Sequence, residues 1–205
     1  MFVQVIQGRT SDADGLRAAM DRWMEELAPG AVGWLGSTGG VTDDGRILLV
    51  ARFESEEDAR RNSDRPEQGA WWAETERLFD GGASFLDSTD VVVDLQGDPD
   101  RAGFVQVIRG RTSDPERAKQ LMTQDPEVWA TFRPDVLGSL AIGHDDGENT
   151  TVLWFTSEAE ARENERKEMP LELRATMEEM EKISLGEPEF LDLRTPVIRS
   201  PASGG

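Results

Sequence analysis

The chain contains one motif twice. FVQVIQGRTSD, beginning at Phe2, returns as FVQVIRGRTSD beginning at Phe104, and Gln7 against Arg109 is the only difference. The same offset of 102 residues then runs without a gap as far as Asn62 and Asn164. It pairs Leu35-Gly36-Ser37 with Leu137-Gly138-Ser139 and Asp43-Asp44-Gly45 with Asp145-Asp146-Gly147. After a slip of three residues, Phe85-Leu86-Asp87 recurs as Phe190-Leu191-Asp192. A tandem repeat of this kind restricts the chain to a fold in which one supersecondary unit is built twice. Residues 1–95 are the expected first unit and 104–194 the second. The Gly-, Pro- and Asp-rich stretch Gln96 to Gly103 reads as a linker. Residues 195–205 lack periodicity and read as a flexible tail.

Each copy carries the same order of elements. Phe2 to Gly8 alternates, with Phe2, Gln4 and Ile6 on one face and Val3 and Val5 on the other, as a half-buried strand does. Leu16, Met20, Trp23, Met24 and Leu27 recur at helical spacing before Pro29-Gly30 ends the run. Ala31 to Gly40 and Arg46 to Phe53 are β-rich and joined through Asp44-Gly45, a hairpin signal. A second helix starts at Ser55, breaks near Pro66 and resumes to Phe79, and Ser84 to Leu95 is the expected closing strand. All four helix starts show Ser-x-x-Asp/Glu: Ser11/Asp14, Ser55/Asp58, Ser113/Glu116 and Ser157/Glu160. That spacing lets a hydroxyl accept from a first-turn N–H while a carboxylate favours the positive helix end.

The order β-α-β-β-α-β makes a four-stranded antiparallel sheet with both helices on one face. The other face is left apolar and needs cover. With the second copy in the same chain, the expectation is an α+β protein. In it, two tandem ferredoxin-like repeats form an intramolecular pseudo-dimeric α/β barrel.

Composition narrows the function. With 41 acidic against 22 basic residues and a net charge of −19, the surface repels phosphate backbones and anionic lipid, so nucleic acid and membrane are not expected partners. The absence of cysteine removes disulfides, thiolate catalysis and zinc–thiolate sites. The N-terminus enters a strand pattern directly, and no apolar run approaches the ~20 residues a spanning helix needs, so a cytoplasmic protein is expected.

Three features together resemble the dimeric α/β-barrel superfamily, and within it the antibiotic-biosynthesis-monooxygenase-type domains. They are the FVQVI opening strand, the Asp-Asp-Gly hairpin, and FESEEDARRNSDRPEQGAWW from Phe53. The last has a strand ending in Phe, then Ser-x-Glu-x-Ala opening the second helix, with aromatics further on. The resemblance implies a ligand between the sheet and the second helix, with Asn and Trp pointing inward and no cofactor. On that basis Asn62 and Trp72 are candidate catalytic residues, and Gln4, Trp34, Arg52, Trp71, Gln106 and Asn164 candidate ligand contacts. The chain departs from the pattern in having no Tyr and one histidine, His144, beside a hairpin. Haem-degrading relatives hold iron through a helix histidine, which this sequence does not offer, and no metal site is expected.

Each candidate has a structural alternative. Asn62 and Asn164 can cap a helix break. Trp71 and Trp72 are adjacent, so at least one is expected in the core. Gln4 and Gln106 either line a cavity or bond across strands. Arg52 becomes Trp154 in the second copy, and Trp71 and Trp72 become Leu173 and Arg174. One functional pocket is therefore expected, in the first copy. The resulting reading is a protein that binds a small apolar or aromatic molecule, either as a cofactor-independent monooxygenase or as a non-catalytic binding or assembly protein.

Overall fold

The computed structural model describes residues 1–201. The first repeat forms β1 (Phe2–Arg9), α1 (Ala13–Glu26), β2 (Trp34–Val41), β3 (Arg46–Phe53), α2 (Glu56–Ser63), α3 (Pro66–Thr75) and β4 (Ser84–Ser88). Next comes β5 (Val91–Leu95). The second repeat follows as β6 (Phe104–Arg111), α4 (Pro115–Met122), α5 (Pro126–Phe132), β7 (Val136–Gly143), β8 (Glu148–Phe155), α6 (Glu158–Asn164), α7 (Leu171–Ile183) and β9 (Glu189–Leu193). Last among the described strands is β10 (Val197–Arg199). The class is α+β, with two ferredoxin-like units in tandem.

Both sheets are antiparallel and five-stranded, in the orders β10-β2-β3-β1-β4 and β5-β7-β8-β6-β9. Four strands of each come from one repeat. The fifth, at the β2 or β7 edge, comes from the sequence that follows the other repeat's closing strand. The compact units are accordingly Met1–Thr89 with the segment from Thr195, and Asp90–Arg194. Three sequence expectations change as a result. Ser84 to Leu95 is two strands in two sheets rather than one closing strand. Gln96 to Gly103 lies wholly inside the second unit, with Gln96 and Gly97 donating to the Leu137 carbonyl at 3.1 and 2.8 Å. The segment expected to be a flexible tail contributes β10, with Val197 and Ile198 buried; residues 202–205 lie outside the described part.

The alternation of the opening strand survives in three dimensions. On the helix side of the first unit, Phe2, Trp34 and Phe53 cluster with Trp23 and Met24, while Leu16, Ile47, Leu49 and Phe79 cluster with Ile6 and Trp72. The opposite face is equally dry, since Val3, Val5, Leu48 and Val50 are buried, as are Val105, Val107, Val152 and Trp154. Sheets buried on both faces read as apolar runs, which is why β3 is nearly continuous hydrophobic sequence.

Two of the four expected caps hold. Ser55 accepts from the Asp58 N–H at 3.1 Å, and Ser157 from that of Glu160 at 3.2 Å. At the other two starts the cap moves one residue, so that Asp12 accepts from Gly15 and Asp114 from Arg117. The cause is local: the Thr10 and Thr112 hydroxyls accept the Asp12 and Asp114 N–H groups at 2.9 and 3.2 Å, which turns the aspartates into the capping position.

The repeats differ most in the first helix. α1 is one helix of 14 residues. In the second repeat the same stretch is divided into α4 and α5 at Asp125-Pro126. Proline cannot donate within a helix and clashes with the carbonyl four residues back, and Asp125 takes a left-handed conformation with φ of 52°.

Candidate functional site

Each unit has a cavity between its sheet and its helices. The first unit's holds about 300 Å³ and the second's about 930 Å³. One functional pocket is expected from the sequence, in the first copy; both units have a cavity, and the second unit's is the larger.

In the first unit the wall brings together five of the nominated residues: Gln4, Trp34, Asn62, Trp71 and Trp72. Most of their polar groups are engaged. Gln4 Nε2 donates to Asp87 Oδ1 across the strand pair at 2.9 Å. Trp34 Nε1 donates to Ser37 Oγ at 3.0 Å, and its ring meets Trp23 edge-on at 5.0 Å between centroids. Trp23 in turn donates to Gln68 Oε1 at 2.7 Å, and Trp71 Nε1 donates to the Ala19 carbonyl at 2.9 Å, tying α3 to α1. Asn62 is buried at the break between α2 and α3, where its Oδ1 accepts from Arg65 Nη1 at 2.9 Å. Arg65 Nη1 also donates to the Leu27 carbonyl at 3.0 Å, so Asn62 helps clamp that break. Among the nominated residues on the wall, two donors have no hydrogen bond among the described residues, the Asn62 amide nitrogen and the Trp72 indole N–H. Trp72 itself packs on Phe79 and Phe85 at 5.8 and 5.3 Å.

The remaining candidates lie elsewhere. Arg52 is buried on the sheet face away from the helices, its Nη2 donating to the Leu35 carbonyl at 3.4 Å beside the bulge at Gly36. Trp154 fills the matching slot beside the bulge at Gly138, fully buried. The swap thus belongs to that face and does not shape either cavity. Gln106 repeats the Gln4 pattern, with Nε2 donating to Asp192 Oδ1 at 2.9 Å, and it does not line the larger cavity. Asn164 Nδ2 donates to the Glu160 carbonyl one turn back at 2.8 Å, the capping alternative, and it too is off the cavity wall.

The larger cavity lies between β6–β8 and helices α4, α5 and α7, walled by Ile108, Leu121, Met122, Trp129, Leu153 and Met180 among others. Sequence comparison of the copies carries the signal for it. At the 102-residue offset, Trp34 becomes Val136, Ile47 becomes Asn149, Leu49 becomes Thr151 and Trp72 becomes Arg174. Bulk that fills the first unit is removed from the second, and the broken helix does not refill it. His144 borders this cavity and a smaller polar cleft with Arg109 and Glu189. Its Nε2 pairs with Thr150 Oγ1 at 3.0 Å, and its buried Nδ1 has no partner. Burial holds the imidazole pKa below its usual value, helped by Arg109 and opposed by Glu148 and Asp145. Lys119, at the cavity rim, sits above the usual ammonium range because it bonds Asp90 and Glu116. Among the described residues, no cluster of three or more His, Asp or Glu forms a metal site, and no helix is long and apolar enough to cross a membrane.

No family model matches the sequence, and no curated protein matches it. Solved structures do share the fold. A proposed monooxygenase from Lactobacillus acidophilus superposes with a TM-score of 0.73 at 10% identity, covering 97% of this chain and 99% of the other. A proposed monooxygenase from Fusobacterium nucleatum gives 0.75 at 10% identity, covering 97% and 94%. An anthrone oxidase-like protein gives 0.63 at 13% identity, covering 97% and 93%. The chain therefore shares the α+β fold of these structures over nearly its whole length.

Proposed function

We propose that this protein binds a small, largely apolar or aromatic molecule between sheet and helices. The observation that carries the reading is the recurrence of an apolar cavity at the same place in both units, despite different side chains. A core that merely needed filling would close such a space, because interiors pack to crystal-like density.

Cofactor-independent oxygenation is the catalytic form of this reading. Converting an activated CH₂ to C=O with O₂ releases water and draws every electron from the substrate, so no external reductant enters. The Asn62 amide and the Trp72 indole would donate to a substrate oxygen and hold the negative charge that develops there. Against turnover stands one feature of the smaller cavity: its wall carries no carboxylate or imidazole to take the proton. A non-catalytic binder is the alternative which that feature favours.

Anthrone under air, followed by oxygen uptake and by the absorbance of anthraquinone, separates the two. Acceleration by the native protein that is lost in Asn62→Ala and Trp72→Phe supports the oxygenase. Asn62→Ala should lower stability by only about 1–2 kcal/mol, the value of one buried hydrogen bond. Saturable binding of anthrone with no acceleration leaves the binder.

A further inference from the structure

The floor of the larger cavity is not apolar throughout. Asn149 and Thr151 occupy alternate positions on β8, and Ser139 lies on the adjacent β7, where Ala141 pairs with Thr151 and Ser139 with Leu153. All three line the cavity and are half-buried. Alternation along a strand puts Asn149, Thr151 and Leu153 on one face, with Ser139 diagonal to Thr151 and within reach of the same ligand. None of the three side chains makes a hydrogen bond among the described residues. In the first unit the same places hold Ile47, Leu49 and Ser37, and Ser37 is engaged by Trp34. The second unit has thus replaced two aliphatic side chains by an amide and a hydroxyl inside a greasy enclosure. Polar groups facing a low-dielectric space are costly unless something bonds them.

The charges around this cavity limit what that something is. Its wall has four cationic side chains, and each is engaged. Arg133 is bidentate to Asp135 at 2.8 and 3.0 Å, and Lys119 bonds Asp90 at 2.6 Å. Arg174 bonds Glu168 at 2.6 Å and Arg111 the Asp146 carbonyl at 2.8 Å. Further carboxylates, Glu178, Glu181 and Glu187, border the same space. Three of the four cations are thus already paired with carboxylates, and an anionic headgroup would face these further acids.

We infer that the second unit's cavity is a site for a neutral, mainly apolar ligand that carries a hydroxyl or carbonyl group, bonded by Thr151, Asn149 and Ser139 on the sheet floor. The inference rests on the proposed binding function and adds the ligand's charge class and its polar anchor. A matched set of fluorescent probes tests it on the full chain near neutral pH: pyrene, 1-hydroxypyrene and pyrene-1-carboxylate. Expected is tightest binding of 1-hydroxypyrene and weakest of the carboxylate. Thr151→Val keeps the side-chain shape and should weaken 1-hydroxypyrene about three- to tenfold, as befits one neutral hydrogen bond, while leaving pyrene unchanged. Asn149→Leu, which restores an aliphatic residue as in the first unit, should act in the same direction. Equal binding of pyrene and 1-hydroxypyrene, unmoved by either variant, would overturn the polar anchor and leave the binding function standing. Tightest binding by the carboxylate would overturn the charge class. Failure of all three probes to bind would overturn the binding function together with this inference.

Discussion

Val197 and Ile198 are the sharpest test of how the first sheet is completed. Val197 is 2% exposed and pairs with Gly39, while Ile198 is 9% exposed and pairs with Thr38. Successive strand residues point to opposite faces. The two side chains therefore lie on opposite faces of the sheet. Changing both to alanine removes two carbons from Val197 and three from Ile198, which at about 0.8 kcal/mol per buried carbon costs about 4 kcal/mol. The backbone pairing of β10 with β2 is the same in both proteins, so chain entropy does not enter the difference. With a urea dependence of about 2 kcal/mol per molar, the midpoint for the first unit should fall by about 2 M. Urea titration followed by circular dichroism, with hydrogen exchange of the β2 amides, measures both the loss and its place. Leu95→Ala on β5 is the control, since that side chain is 53% exposed and its loss should stay within about 0.5 kcal/mol. An unchanged midpoint in the double variant, with unprotected β2 edge amides in the native chain, would refute the buried fifth strand.

Acid sensitivity should trace to the single histidine. His144 has a folded pKa below its unfolded value, so the unfolded chain binds the extra proton first; stability is complete above the usual value of about 6.5 and is lost as pH falls below it. The melting temperature should decline between pH 7 and about 5.5, before the carboxylates titrate, and His144→Gln should flatten that interval; a decline unchanged in the variant would show that His144 is not its source. Gly147 has φ of 76°, and a Cβ there would lie 2.2 Å from the Thr112 carbonyl oxygen. Gly147→Ala should therefore destabilise by more than the roughly 1–2 kcal/mol of left-handed backbone alone, and equal thermal stability of the two proteins would contradict the close approach.

Much of the fold was legible because it rests on local rules. The period-two opening strand, the Asp-Asp-Gly hairpin and the helix break before Pro66 each depend on residues within a few positions of one another, and the repeat states the first two twice. The candidate site was legible in part. Asn62, Trp71 and Trp72 were expected together from their place on the second helix, and they do share a cavity wall with Gln4 and Trp34. Arg52, Gln106 and Asn164 lie off both cavity walls, with Gln106 and Asn164 in the hydrogen-bonded alternatives that the sequence also offers. A side chain's face depends on the bulge at Gly36, on a cross-strand aspartate and on a backbone carbonyl one turn away, none of which is marked in the residue itself.

Sequence by itself determined the duplication, the order of strands and helices in each copy, and the apolar character of both sheet faces, because steric and capping preferences act over a few residues. Tertiary structure alone decided which sheet receives β5 and β10. Edge strands join through backbone N–H and C=O groups that every residue carries, so nothing in Val91–Leu95 or Val197–Arg199 names its partner. It also decided where the larger cavity lies. A cavity is the difference between the volume that the backbones enclose and the volume that side chains fill. The lost bulk at Val136, Asn149 and Thr151 becomes space only because α4 and α5, parted at Asp125-Pro126, leave it unfilled.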